Sequence, residues 1–245
     1  MAKGCDYSFS TPSAASLKAA GYRFACRYVL GSSDKRITRN EANTLWAHGI
    51  DVVTNAEAYR QDPLRGHDLG VTHARTADAQ HKAAGGPAGK PIYFSVDFDV
   101  QPHQAGAVKS YLDGAASVIG RGRVGAYGGI RIISYLFDSG TITYGWQTYA
   151  WSRGQWDSRA QIRQTHNDVN IGGGQIDIDE SIHADFGAWH GATQELGPAP
   201  GQGEFGPVSS GAWDPSPALD RWVDAMAHVA IVLENGTRVL NGLRR

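Results

Sequence analysis

Between residues 4 and 137 a short apolar run and a helix-like segment follow one another five times. The strand-like runs are "GCDYSF" (4–9), "YRFACRYVL" (22–30), "IDVVTNAEAY" (50–59), "KPIYFSVDFDV" (90–100) and "RVGAYGG" (123–129). Between them lie "TPSAASLKAAG", "TRNEANTLWAHG", "DLGVTHARTADAQHKAAGGP" (68–87), "PHQAGAVKSYLDGAASVIG" (102–120) and a short "IRIISYLF". Local signals agree with this alternation. Pro12 sits near a first helical turn, Thr38 and Glu41 have capping-box spacing, and Gly49 and Gly85-Gly86-Pro87 stop helices. Five βα units call for parallel strands joined by right-handed crossovers. Three helix-poor strands follow at 144–152, 160–168 and 174–181, the last two separated only by "VNIGGG", which predicts a hairpin. The expected fold is α/β, a TIM-like (β/α) barrel of eight strands over residues 1–190.

Residues 191–214 form a Gly/Pro-rich stretch that reads as a linker. In the tail, 215–245, Leu219, Trp222, Met226, Val229 and Leu233 recur at helical spacing. This predicts an amphipathic helix that docks on the barrel or on another chain, with a β-hairpin around Asn235-Gly236 as the alternative.

With 23 Lys and Arg against 24 Asp and Glu, the net charge is −1. No broad basic surface is available for nucleic acid or anionic lipid. No segment approaches the ~20 apolar residues of a membrane span, and the first residues lack an apolar signal core. The expectation is a chain made in the cytoplasm without a signal peptide. Cys5 and Cys26 are too few for a zinc site and sit in apolar runs, so they are expected as buried free thiols.

Acidic residues collect where these strands end. In a strand, residues i and i+2 share a face. Asp97 and Asp99 are therefore expected to point the same way, above Ser95 and Tyr93, with Phe94, Val96 and Phe98 on the other side. Asp6 ends the first strand, Glu57 the third, and Asp177 and Asp179 the eighth. Catalytic groups of such barrels sit at the carboxyl ends of the strands. Six acids there suit either a hard cation or a pair in which repulsion keeps one carboxyl protonated, as a glycosidase requires. Aromatic residues at the same ends favour a sugar: Tyr59, Tyr93, Tyr127, Trp146, Tyr149, Trp151 and Trp156. Arg27, Gln147, Gln164 and His166 are placed to reach the mouth as well.

These same motifs, together with "WQTYAWS" and "IDIDES", resemble the glycoside hydrolase-like domain family named after a mycobacterial Tat-exported protein. That family is similar in turn to the family 25 lysozymes, which cleave peptidoglycan on a barrel of five βα units and three further strands. The resemblance spans about residues 3–190. It implies that Asp6 matches the first-strand aspartate of those lysozymes and Asp97 the first acid of their strand-four Asp-x-Glu pair. Asp99 stands where that pair has its general-acid glutamate, and Asp179 or Asp177 matches the last-strand aspartate.

Because Asp is one methylene shorter than Glu, three readings follow: a closer backbone, proton donation by Glu57, or glycan binding without cleavage. The implied catalytic set is Asp6, Glu57, Asp97, Asp99 and Asp179. The implied substrate contacts are Tyr59, Tyr93, Tyr127, Gln147, Tyr149, Trp151, Gln164 and Asp177. No metal or cofactor is implied. The partner is peptidoglycan or another cell-wall glycan, reached through a holin or from a phage virion. The rival expectation is a non-catalytic glycan-binding or virion structural protein. A metal-dependent hydrolase is less favoured, since no His-rich ligand set accompanies the acids.

Overall fold

The computed structural model describes residues 1–191; the predicted linker beyond its first residue and the predicted tail helix lie outside the described residues. In chain order the elements are β1 (Lys3–Asp6), α1 (Ala14–Ala19), β2 (Phe24–Tyr28), α2 (Arg39–Ala47), β3 (Asp51–Ala56), α3 (His67–Ala84) and β4 (Ile92–Ser95). They continue with α4 (Ala105–Ile119), β5 (Val124–Gly128), α5 (Ile130–Asp138), β6 (Tyr144–Thr148), β7 (Ile162–Ile171) and β8 (Gly174–Ser181). The strands close into a barrel in sequence order, as the alternation predicts. Strands β1 to β7 are parallel neighbours, whereas β8 runs antiparallel to both β7 and β1.

Alternation along each strand divides the core in two. Cys5, Ala25, Val52, Phe94, Val96 and Ala126 face the helical layer. Phe24, Cys26, Val53, Tyr93, Tyr127, Trp146 and Ile162 fill the barrel interior. Gly4 makes this filling possible, because a Cβ there would strike the Phe24 ring. After β8 the chain seals the bottom. The Phe186 ring lies 4.7 Å from that of Phe24, and the Tyr93 hydroxyl donates to the Phe186 carbonyl at 2.9 Å. Trp189 then pairs with Val52, and its indole N–H donates to Thr54 Oγ1 at 2.8 Å.

Several local readings change in detail. Thr38 caps α2, accepting from the Glu41 amide at 3.1 Å, but the Glu41 carboxylate does not return to Thr38. It binds Arg27 at 2.6 Å and the Tyr7 hydroxyl at 3.0 Å, an ion pair that outcompetes the second half of a capping box. Arg27 is consequently buried outside the barrel and takes no part in the mouth. Pro12 precedes the N-cap of α1, which is Ser13. The expected hairpin is present, though β7 runs through to Ile171. Gly172 and Gly173, at φ 56° and 84°, make the two-residue turn with the positive φ values that a tight hairpin needs. Cys5 and Cys26 are buried free thiols on opposite faces of paired strands.

Helices α3 and α4 pack through glycine. A Cβ on Gly70 would enter the Tyr111 carbonyl, and one on Gly114 would enter the His67 carbonyl. Nothing lies within 4 Å of a Cβ built on Gly106, in the same helix as Gly114. Overpacking costs about 1–3 kcal/mol. Gly70→Ala and Gly114→Ala are therefore expected to lower the melting temperature by about 3 °C or more, whereas Gly106→Ala leaves it level or raises it. Thermal melts of the three variants check this.

Candidate active site

Above the Tyr127–Trp146 floor the barrel opens into a cavity of about 340 Å³ at the carboxyl ends of the strands. Two walls carry its charge. On one, Asp6 from β1 and Asp177 from β8 share Gln164 of β7, whose Nε2 donates to them at 2.8 and 3.3 Å. Gln164 is oriented through its other end, where Oε1 accepts from Tyr127 at 2.8 Å and Thr148 at 2.7 Å. The Asp177 carboxylate also accepts the Asp168 amide at 2.9 Å, where a bulged β7 puts Asp168 at φ 64°.

Asp179 lies beneath this wall, fully buried. Its Oδ1 accepts the Trp146 indole N–H at 2.8 Å, and Oδ2 has no donor. A protonated Oδ2 removes that deficit by donating toward Asp6. The energetics agree: burial and the Asp6 charge push the Asp179 carboxyl well up. Burial and then the Asp177 charge raise Asp6 to about 7, partly offset by hydrogen bonds from Gln164 and Asp179. Asp177 is raised too, mainly by burial.

The facing wall belongs to β3 and β4. Glu57 is ion-paired with Lys35 at 2.8 Å, and both are about nine-tenths buried. The Lys35 ammonium also sits 4.2 Å above the Tyr28 ring. Asp97 is paired with Arg60 at 2.8 Å. Burial, followed by the Glu57 charge, lifts Asp97 to about 6 against the opposing pull of Arg60 and Lys35. Asn55 and Ser95 bridge the two strands at 3.0 Å. Trp151 and Asn167 complete the rim.

The expected residues are therefore partly gathered and partly dispersed. Asp6, Glu57, Asp97, Tyr127, Trp151, Gln164 and Asp177 line the cavity, with Asp179 directly supporting it. Asp99 does not line it. Strand β4 ends at Ser95, so the two-residue alternation lapses before Asp99, which turns outward to Arg131 at 3.4 Å and is nearly half exposed. Tyr93 lies on the expected face but in the barrel interior, bonded toward the bottom. Gln147 is fully buried and points away from the cavity. Its amide donates to the Gln155 carbonyl at 2.8 Å and to Ser152 Oγ at 3.0 Å, fixing the loop that presents Trp151. Tyr59 and Tyr149 stand exposed beyond their strands and outside the cavity lining. Trp156 stacks on Arg163 and His166 is solvent-facing.

Lys35 and Arg60 carry no periodic signal, because both come from loops. Asn55 and Ser95 line the cavity on the faces that alternation gives them, below Glu57 and Asp97, and Tyr28 occupies an inward strand position that alternation could have found. Among the described residues no three His, Cys, Asp or Glu side chains are arranged to hold a metal ion.

The model of the Rv2525c-like, glycoside hydrolase-like domain matches residues 15–183. Rv2525c of Mycobacterium tuberculosis, which bears the name of a candidate peptidoglycan hydrolase, is 32% identical over 201 residues, 75% of this chain and 82% of that protein. The crystal structure of that Tat-secreted protein with L-tartrate superposes with a TM-score of 0.73 at 30% identity, covering 77% of this chain and 98% of the other. A muramidase from Trichobolus zukalii shares the fold, with a TM-score of 0.52 at 14% identity over 75% of this chain and 95% of its own.

The acid wall makes stability depend on pH in a definite sense. An aspartate whose folded pKa is raised binds its proton more tightly in the folded state. Its contribution is complete below the unfolded value near 4 and is lost as pH climbs through about 7. The raised Asp6 and Asp179 pull the melting temperature down between pH 5 and pH 8, against buried His73 and His81, whose lowered values act in the opposite sense. Asp179→Asn, which supplies a permanent donor in place of the proton, should flatten that fall and melt higher than wild type at pH 8. Melting curves at the two pH values check both statements.

Proposed function

Since this chain belongs to the Rv2525c-like glycoside hydrolase-like family, we propose that it cleaves a glycosidic bond of cell-wall peptidoglycan. The observation that carries this reading is Asp97: a carboxyl at the cavity wall, pushed up to about 6, beside a second carboxylate neutralised by a lysine. A glycosidase needs such a division between a proton-bearing acid and an ionised partner. Asp97 is the general acid in this scheme. It gives its proton to the glycosidic oxygen as the bond to the anomeric carbon breaks, so the leaving sugar departs as a neutral hydroxyl. A water then bonds to the anomeric carbon and gives its proton to the now ionised Asp97, which restores the acid. Glu57, ion-paired with Lys35, is the carboxylate that faces the positive charge developing on the ring. Asp6, Asp177 and Gln164 on the other wall accept and donate hydrogen bonds to sugar hydroxyls, and Trp151 offers a flat face at the rim. The name of the mycobacterial relative supports peptidoglycan as the substrate.

A second reading has its own support. Asp99 stands where the family 25 lysozymes carry their acid, is a methylene shorter than Glu, and is turned toward Arg131. A barrel that binds glycan without cutting it would look the same at that position.

Release of reducing ends from purified peptidoglycan separates the two. Hydrolysis by the wild type, lost at least 100-fold in Asp97→Asn and kept within threefold in Asp99→Asn, fits the enzyme with Asp97 as acid. In that case kcat/KM falls about tenfold per pH unit above about 6, as the acid loses its proton. Wild-type protein that sediments with peptidoglycan and releases nothing fits the binding module.

A further inference from the structure

Asp97 lies beyond the last residue of β4, where no ladder hydrogen bond fixes the direction of its side chain. Yet it faces the cavity, whereas Asp99, two residues on, does not. Asp99 contacts Arg131, whereas Asp97 contacts Arg60. The Arg60 Nε donates to the Asp97 main-chain carbonyl at 3.0 Å and lies 2.8 Å from Asp97 Oδ2, so one guanidinium grips both the backbone and the carboxylate. Arg60 is itself carried on a fixed loop. Next to it the Tyr59 amide donates to Asp62 Oδ2 at 3.1 Å, and buried Asp62 approaches His73 of α3 at 3.8 Å. His73 is bonded in turn to the Tyr111 hydroxyl of α4 at 2.9 Å.

We infer that Arg60 is a positioning residue that sets the orientation and proton affinity of the acid Asp97, its Nε lying against both the main-chain carbonyl and the carboxylate and so aiming the carboxyl into the cavity. This deepens the reading of Asp97 as the acid and rests on it for the kinetic part of the test.

The charged and titratable groups around Asp97 are few. Glu57 and Arg60 follow β3, Lys35 comes from the loop after β2, and the Tyr28 and Tyr127 hydroxyls end β2 and β5. Glu57 raises Asp97, and Arg60 and Lys35 lower it. The planar guanidinium holds its Nε–H in one fixed direction against the two Asp97 oxygens, whereas an ammonium supplies charge on a freely rotating head. Charge and orientation are thus separable by substitution. Arg60 is largely exposed, so replacing it does not threaten the core.

The experiment is a carbon-detected titration of the Asp97 carboxyl in wild type, Arg60→Gln and Arg60→Lys, beside their kinetics on peptidoglycan. Arg60→Gln should move the Asp97 midpoint upward by half a pH unit or more, with the alkaline limb of kcat/KM following it. Arg60→Lys should keep the midpoint near that of wild type but lower kcat at least tenfold with KM within twofold. An Asp97 midpoint unmoved in Arg60→Gln overturns the inference, and so does full kcat in Arg60→Lys. Should wild type release no reducing ends, the hydrolase reading fails by itself, and the Asp97 midpoints still decide the role of Arg60.

Discussion

Strand β8 runs antiparallel to β1, and that pairing sets Asp177 opposite Asp6 and Asp179 opposite Gly4. Three carboxylates are thereby crowded onto one wall of a closed barrel, Asp179 fully buried and Asp6 and Asp177 facing the cavity. The rest of the interior is arranged around this crowding. Trp146 and Gln164 turn their N–H groups toward the acids, and Tyr127 orients Gln164. Burial and mutual charge raise both Asp6 and Asp179, so this wall favours holding a proton. Gly4 leaves room below for Phe24, so the cluster sits on a packed apolar floor.

The wall of β3 and β4 solves the same problem with cations. Lys35 neutralises Glu57 and Arg60 holds Asp97, both from loops that the barrel merely anchors. Two strategies, proton sharing and ion pairing, thus meet across one cavity. The outcome is a cavity in which burial raises Asp6, Asp97 and Asp179 while Lys35 pairs with Glu57, a division of the kind that acid-assisted cleavage of a glycosidic bond uses.

Much of this was legible in advance. The five βα units show in the alternation of apolar runs and capped helices, and the hairpin shows in its paired glycines. The acids of β1, β3 and β8 were legible because strand alternation assigns a face to each. Depth was not: Tyr93 shares the face of Asp97 but lies in the sealed interior. Past the last residue of a strand alternation was no longer decisive, although Glu57 and Asp97 kept the expected face. Asp99, Tyr59 and Tyr149 all lie past the end of a ladder, where loop geometry and local ion pairs decide direction. Gln147 follows the inward Trp146, so its neighbour's position already argued for an outward side chain. Lys35 and Arg60 left no trace, since a cation in a loop is ordinarily a solvated one.

The most direct test is the crystal structure of Asp97→Asn with a bound peptidoglycan oligosaccharide. The account predicts a glycosidic oxygen within hydrogen-bond reach of position 97, with the sugar lying between Glu57 and the Asp6–Asp177 wall. A glycan seated against Asp99 and Arg131, or one that bypasses the cavity, would contradict it.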